Sequence, residues 1–169
     1  MVDSPAELEP EIWDVPLEGK QVVVGLGNRY MTDDGIGIRV AEELRGRELG
    51  GRVLVFEYQT LELSLLWQLR GASRIVVVDA LRSGGSAGTV STYSITPREG
   101  PLLELPSPHA IQLHDTFDLA NLSGMLPCPV TLIGVEPSSC DPGEGLTQAV
   151  SAAIQPAVDA VVQALEIGP

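Results

Sequence analysis

From Gln21 to Leu165 short apolar runs alternate with stretches whose apolar residues return every three or four positions. The runs are Val22–Val24, Val53–Phe56, Ile75–Val78 and Val130–Val135. Near-continuous Val, Ile and Leu mark strands covered on both faces, as parallel strands are. Residues Thr89–Ser94 read as a further strand, directly after the glycine-rich turn Ser83–Gly88. That connection is too short to hold a crossover helix, so this strand is expected to run antiparallel at a sheet edge.

The helical pattern appears four times. Ile36, Ile38, Val40, Ala41 and Leu44 form one face, with Arg39, Glu42, Glu43, Arg45 and Arg47 on the wet side. Leu61, Leu65 and Leu69 give a short helix opening at Thr60 and stopped by Gly71. Leu113, Phe117, Ala120 and Leu122 follow an opening at Ser107-Pro108-His109. Leu146, Val150, Ile154, Val158, Val161, Val162 and Leu165 predict one long amphipathic helix. Alternating strands and helices predict an α/β sandwich with a mostly parallel sheet and helices on both faces. The first and third strands are expected to be neighbours, with the second strand outside the first. Such an order creates a switch point at the strand ends, where open α/β sheets place their sites.

The 169 residues fit one domain. Residues 1–20 are acidic and carry Pro5, Pro10 and Pro16, so an extended, loosely packed or flexible arm is expected, with residues 21–169 as a single α/β domain. The formal charge of −13 argues against nucleic acid as a partner, since phosphate binding needs a basic surface. No apolar run reaches the length of a membrane span, and no signal-peptide pattern opens the chain. A cytoplasmic monomer is therefore expected. Cys128 and Cys140 flank the strand run Val130–Val135, which holds them too far apart for a bridge.

Chemistry concentrates at strand ends. After Val22–Val24 come a glycine turn, Gly25-Leu26-Gly27-Asn28, and two adjacent acids, Asp33 and Asp34. Either acid could cap the following helix; one cap needs one Asp, so the other is spare. Asp79 ends the third strand. The chain has two histidines, His109 and His114, which a helix would point in different directions, so they are not expected to share an ion. The glycine turn lacks the third glycine of a dinucleotide fingerprint, because Tyr30 stands there. Glu57, near the end of the next strand, keeps a Rossmann reading open. There is no H-E-x-x-H, and Ser107 beside His109 does not by itself make a triad.

The segments G-L-G-N, T-D-D-G-I-G, V-V-V-D-A, S-P-H and V-T-L-I-G-V-E-P occur in this order between Gln21 and Leu165. Together they resemble the hydrogenase maturation proteases, the endopeptidases that trim the large subunit of nickel-iron hydrogenases. The resemblance implies a five-stranded sheet with one antiparallel strand. It also implies a metal-reading triad of Asp34, Asp79 and His109, with His114 a competitor for the histidine position. Asp33 or Asp34 is the candidate general base. Two carboxylates and an imidazole suit a borderline divalent ion.

The implied cofactor is nickel carried by the substrate, with an adventitious divalent metal possible in the isolated protein. The implied partner is the immature large subunit, which loses a C-terminal extension once nickel is in place. One segment departs from the family pattern: Glu57-Tyr58-Gln59-Thr60 stands where many members have Asp-Gly-Gly-Thr, which points to a different client. The rival readings are a nickel-dependent checkpoint or escort that does not cleave, and a nucleotide-binding regulatory domain.

Overall fold

The computed structural model describes residue 12, residues 15–97 and residues 111–166. Five strands are present: β1 Gln21–Leu26, β2 Val53–Tyr58, β3 Arg74–Ala80, β4 Val90–Ile95 and β5 Val130–Val135. The helices are α1 Ile36–Arg45, α2 Leu63–Gln68, α3 Ile111–Leu122, α4 Gln148–Ala152 and α5 Ile154–Glu166. A 3-10 turn, Thr32–Gly35, leads into α1.

The strands lie in the order β2-β1-β3-β5-β4. β1 pairs in parallel with both β2 and β3, and β3 with β5; β4 runs antiparallel along β5 at the edge. The first and third strands are neighbours with the second outside the first, as expected; the sequence pattern does not place β5 between β3 and β4. Successive β-branched residues point to opposite faces, so each run feeds two cores. Val22, Val24, Ile75, Val77 and Leu132 pack with α2 and α3 residues such as Leu66 and Phe117. Val23, Val76, Val78, Ile133 and Val135 pack with Val40, Val158 and Val161 of α1 and α5. The result is a three-layer sandwich whose middle layer is apolar on both sides.

Several boundaries differ from the sequence-based expectation. The predicted helix from Leu146 to Leu165 is two helices, with a break at Ala153. Pro156 is the cause: it has no N–H to give to Ala152, and its ring crowds that carbonyl. α2 begins at Leu63, not Thr60, because β2 continues to Tyr58. Neither Asp33 nor Asp34 caps α1; Gly35 holds the cap position without a side-chain bond.

Ile12 and Leu17 are buried in the α2/α3 core, so part of the N-terminal arm is packed. The arm's residues 1–11, 13 and 14 lie outside the described residues, as do residues 98–110 with Ser107 and His109. Cys128 and Cys140 are both free thiols, as their spacing predicted. Among the described residues no helix is long and apolar enough to cross a membrane.

Candidate active site

The site is framed by glycines that let the main chain close on itself. Gly27 has φ +126°, a conformation that suits glycine alone. A β-carbon there would stand 1.7 Å from the carbonyl oxygen of Asp34. The space that a dinucleotide fingerprint leaves for pyrophosphate is thus filled by the protein's own chain, which removes the Rossmann reading. Gly37 seats the start of α1 over two strand ends: its missing β-carbon would lie 2.3 Å from the carbonyl oxygens of both Leu26 and Val78. Asp34 and Asp79 therefore arrive at one rim of the sheet.

The adjacent acids meet opposite fates. Asp33 is fully buried. Its Oδ2 accepts from the N–H groups of Ser138 (2.8 Å) and Ser139 (3.0 Å) and from the Thr147 hydroxyl (2.9 Å). Its Oδ1 accepts from the Thr147 N–H at 2.7 Å. Burial alone raises a carboxyl pKa, yet these donors outweigh it and hold Asp33 below the usual range. Such a carboxylate is a poor proton acceptor, which argues against Asp33 as the general base. Asp34 is only partly buried and, among the described residues, takes one hydrogen bond, from the Asn28 N–H at 2.8 Å.

Asp79, near the end of β3, accepts one hydrogen bond among the described residues, from the N–H of Ala80 at 2.9 Å. Its pKa is pushed up to about 7, first by loss of solvent and then by the negative charge of Asp34. Two carboxylates close enough to repel, with no cation among the described residues lowering the Asp79 pKa, form a pair that a divalent ion would relieve.

The third expected ligand, His109, lies outside the described residues. Among the described residues no group of three His, Cys, Asp or Glu side chains is placed to hold a metal. His114 does not join Asp34 and Asp79: on α3 it faces Asp115 and Asp118 of its own helix, at 3.5 Å and 3.6 Å. Glu57, in the departing segment, is paired with Arg29 and Arg45. Arg29 in turn reaches Glu42, so Glu57 ties β2 to the β1–α1 loop.

Sequence reasoning missed Glu136. It follows β5 directly and is 7% exposed. Its Oε2 accepts from the Ser83 N–H and hydroxyl, both at 2.6 Å, and from the Gly85 N–H at 3.2 Å. It pins the loop that follows Asp79. The available signal was an acid placed after β5 as Asp79 is placed in β3.

The family model described as HycI, hydrogenase maturation protease, matches residues 38–164. This chain belongs to the hydrogenase maturation protease family. It is similar to the Hydrogenase 2 maturation protease of Escherichia coli strain K12, at 34% identity over 85% of this chain and 89% of that protein. In structure it is similar to the hydrogenase maturating endopeptidase HybD from E. coli, with TM-score 0.71 and 32% identity over 86% of this chain and 91% of that one. A hydrogenase 2 maturation peptidase from a Thaumarchaeota archaeon aligns with TM-score 0.68 and 30% identity, covering 88% and 99% of the two chains. The five-stranded mixed sheet is the fold of these proteases. As a member, this maturation protease is a hydrolase of the peptide bond, which sets aside the non-cleaving escort reading.

Proposed function

We propose that this maturation protease removes the C-terminal extension of an immature nickel-iron hydrogenase large subunit after nickel insertion, and that Asp34, Asp79 and His109 engage the nickel borne by that client. The observation that carries the reading is the repulsive Asp34–Asp79 pair, each acid with a single hydrogen-bond donor among the described residues. Holding two like charges side by side, each partly shielded from solvent, is unfavourable until a cation arrives. A client that brings nickel supplies that cation, and an empty client does not.

The ion would draw the client's cleavage segment onto the rim and polarise the scissile carbonyl or a water. Asp34, partly exposed, is then the base within reach, while Asp33 stays committed to its own donors. Three ligands leave coordination positions for those the client retains. We place the reaction in the cytoplasm, where free thiols such as Cys128 and Cys140 persist. The Glu57–Thr60 segment sets which hydrogenase is the client.

The raised pKa of Asp79 favours one other reading, in which the two acids share a proton and activate water without metal, as in aspartic proteases. One experiment separates the two. Unprocessed large subunit, with and without nickel, is incubated with the protease and weighed by mass spectrometry. Loss of a C-terminal peptide only from the nickel-loaded form, abolished by Asp34→Ala, supports nickel sensing. Equal cleavage of both forms refutes it.

A further inference from the structure

The turn that carries Asp34 is held in an unfavourable shape by a distant loop. Thr32 has φ +46°, the described non-glycine residue with positive φ. For a β-branched residue that is a true outlier, sustained only where surrounding contacts over-determine it. Here the contacts come from residues 138–147, more than a hundred positions along the chain. The Thr32 N–H donates to Gly143 O (2.9 Å), the Asp33 N–H to Ser139 O (3.0 Å) and the Gly143 N–H to Tyr30 O (2.9 Å). The Thr32 hydroxyl donates to Asp141 O at 2.6 Å. At the centre sits the buried Asp33 carboxylate with its donors from Ser138, Ser139 and Thr147.

We infer that Asp33 is a positioning residue: its buried carboxylate latches the 138–147 loop onto the Thr32–Gly35 turn, and that latch holds Thr32 in its left-handed conformation so that Asp34 faces Asp79. Without the latch, Thr32 relaxes toward ordinary backbone and carries the neighbouring Asp34 off the rim. Asp33 itself touches no client group, because it is wholly enclosed. The catalytic half of this inference rests on the function proposed above; the structural half does not.

Asp33→Asn is the sharp perturbation. The amide keeps the volume but replaces one acceptor oxygen with an NH2 that must face existing N–H donors. With the nickel-loaded precursor as substrate, kcat should fall about 100-fold, the usual cost of a misplacement near 1 Å. KM should rise as well, since the displaced Asp34 is a proposed ligand to the client's nickel. Hydrogen exchange should speed up in residues 31–36 and 138–147 but not in β3.

The decisive variant adds Thr32→Gly to Asp33→Asn. Glycine adopts φ +46° without strain, so the turn no longer needs the latch. The double variant should recover kcat to within roughly tenfold of wild type, with slow exchange restored in 31–36 and not in 138–147. A merely structural Asp33 gives no such recovery. Full kcat in Asp33→Asn, or exchange unchanged in both segments, overturns the inference, and so does a double variant as impaired as the single. If Asp33→Asn does not fold, Thr147→Val removes one of the four bonds and should show the same exchange pattern with a smaller kcat loss; unaltered exchange there overturns it equally. If wild type leaves the nickel-loaded precursor uncut, the proposed function fails, and the exchange pattern alone decides the latch.

Discussion

Replacing Gly37 with alanine tests whether the helix–sheet contact positions the site. Gly37 is the second residue of α1. A β-carbon on it would stand 2.3 Å from Leu26 O, 2.3 Å from Val78 O and 2.6 Å from Leu26 N. All three are backbone atoms of sheet strands, so no side-chain rotation can yield. The helix must lift off β1 and β3. Overpacking of a tight site costs typically about 1–3 kcal/mol, sometimes more, and three simultaneous backbone overlaps place this case at the upper end. Alanine returns at most about 1 kcal/mol of helix propensity, less in a first turn. The net expectation is a destabilisation of about 2 kcal/mol or more, a drop in Tm of roughly 4–8 °C at this chain length. Urea unfolding followed by circular dichroism measures it. Gly51→Ala is the control, since nothing lies within 4 Å of its β-carbon position. Lifting α1 also moves the turn before it, so cleavage should fall further than stability does. A Gly37→Ala protein as stable as wild type would refute the contact.

Two other outcomes are expected. Asp79 has a native pKa of about 7, above the value of about 3.9 for an unfolded Asp. The native state then binds the extra proton, so this group's contribution to stability falls as pH rises from about 4 to about 7 and stays low beyond; Asp79→Asn should match wild type at pH 4 and exceed it at pH 8, by on the order of 2–4 kcal/mol in urea titrations, while losing cleavage. A variant less stable than wild type at pH 8 contradicts the repulsion. Glu136→Ala removes the acceptor for Ser83 and Gly85; at about 1.5–3 kcal/mol for a hydrogen bond to a charged group, it should cost roughly 3 kcal/mol, with faster hydrogen exchange at residues 81–88, and unchanged exchange there would remove Glu136 as the anchor of that loop.

The strands were legible because each β-branched run is buried on both faces, a local property that leaves a local mark. The direction of β4 and its edge position were legible too, since Ser83–Gly88 cannot hold a helix; the insertion of β5 between β3 and β4 was not. The break between α4 and α5 was also written in the sequence, at Pro156, but the apolar period runs straight through it and hides it. Other features were not readable from any window. The close seat of Gly37 depends on Leu26 and Val78, which come from two different strands. The burial of Asp33 depends on donors from residues 138–147. Asp33 and Asp34 are chemically identical neighbours, so nothing in the sequence separates their roles.

What separates them is the supply of donors. Asp33 and Glu136 are each given three or more hydrogen bonds, and both hold their protons less tightly than a free carboxyl. They are satisfied in the folded protein and act as anchors for the loops around the rim. Asp79 has one donor among the described residues, and loss of solvent together with a like-charged neighbour raises its affinity for a proton. A partly buried acid short of donors is less stable as an anion until something positive reaches it. The rim thus pairs two carboxylates rich in donors, which fix the frame, with two that have one donor each among the described residues, which leave a demand for charge at its centre. Stability given up at Asp79 is what makes the site respond to a cation, and the same deficit explains why Asp79→Asn should be the more stable and the less active protein.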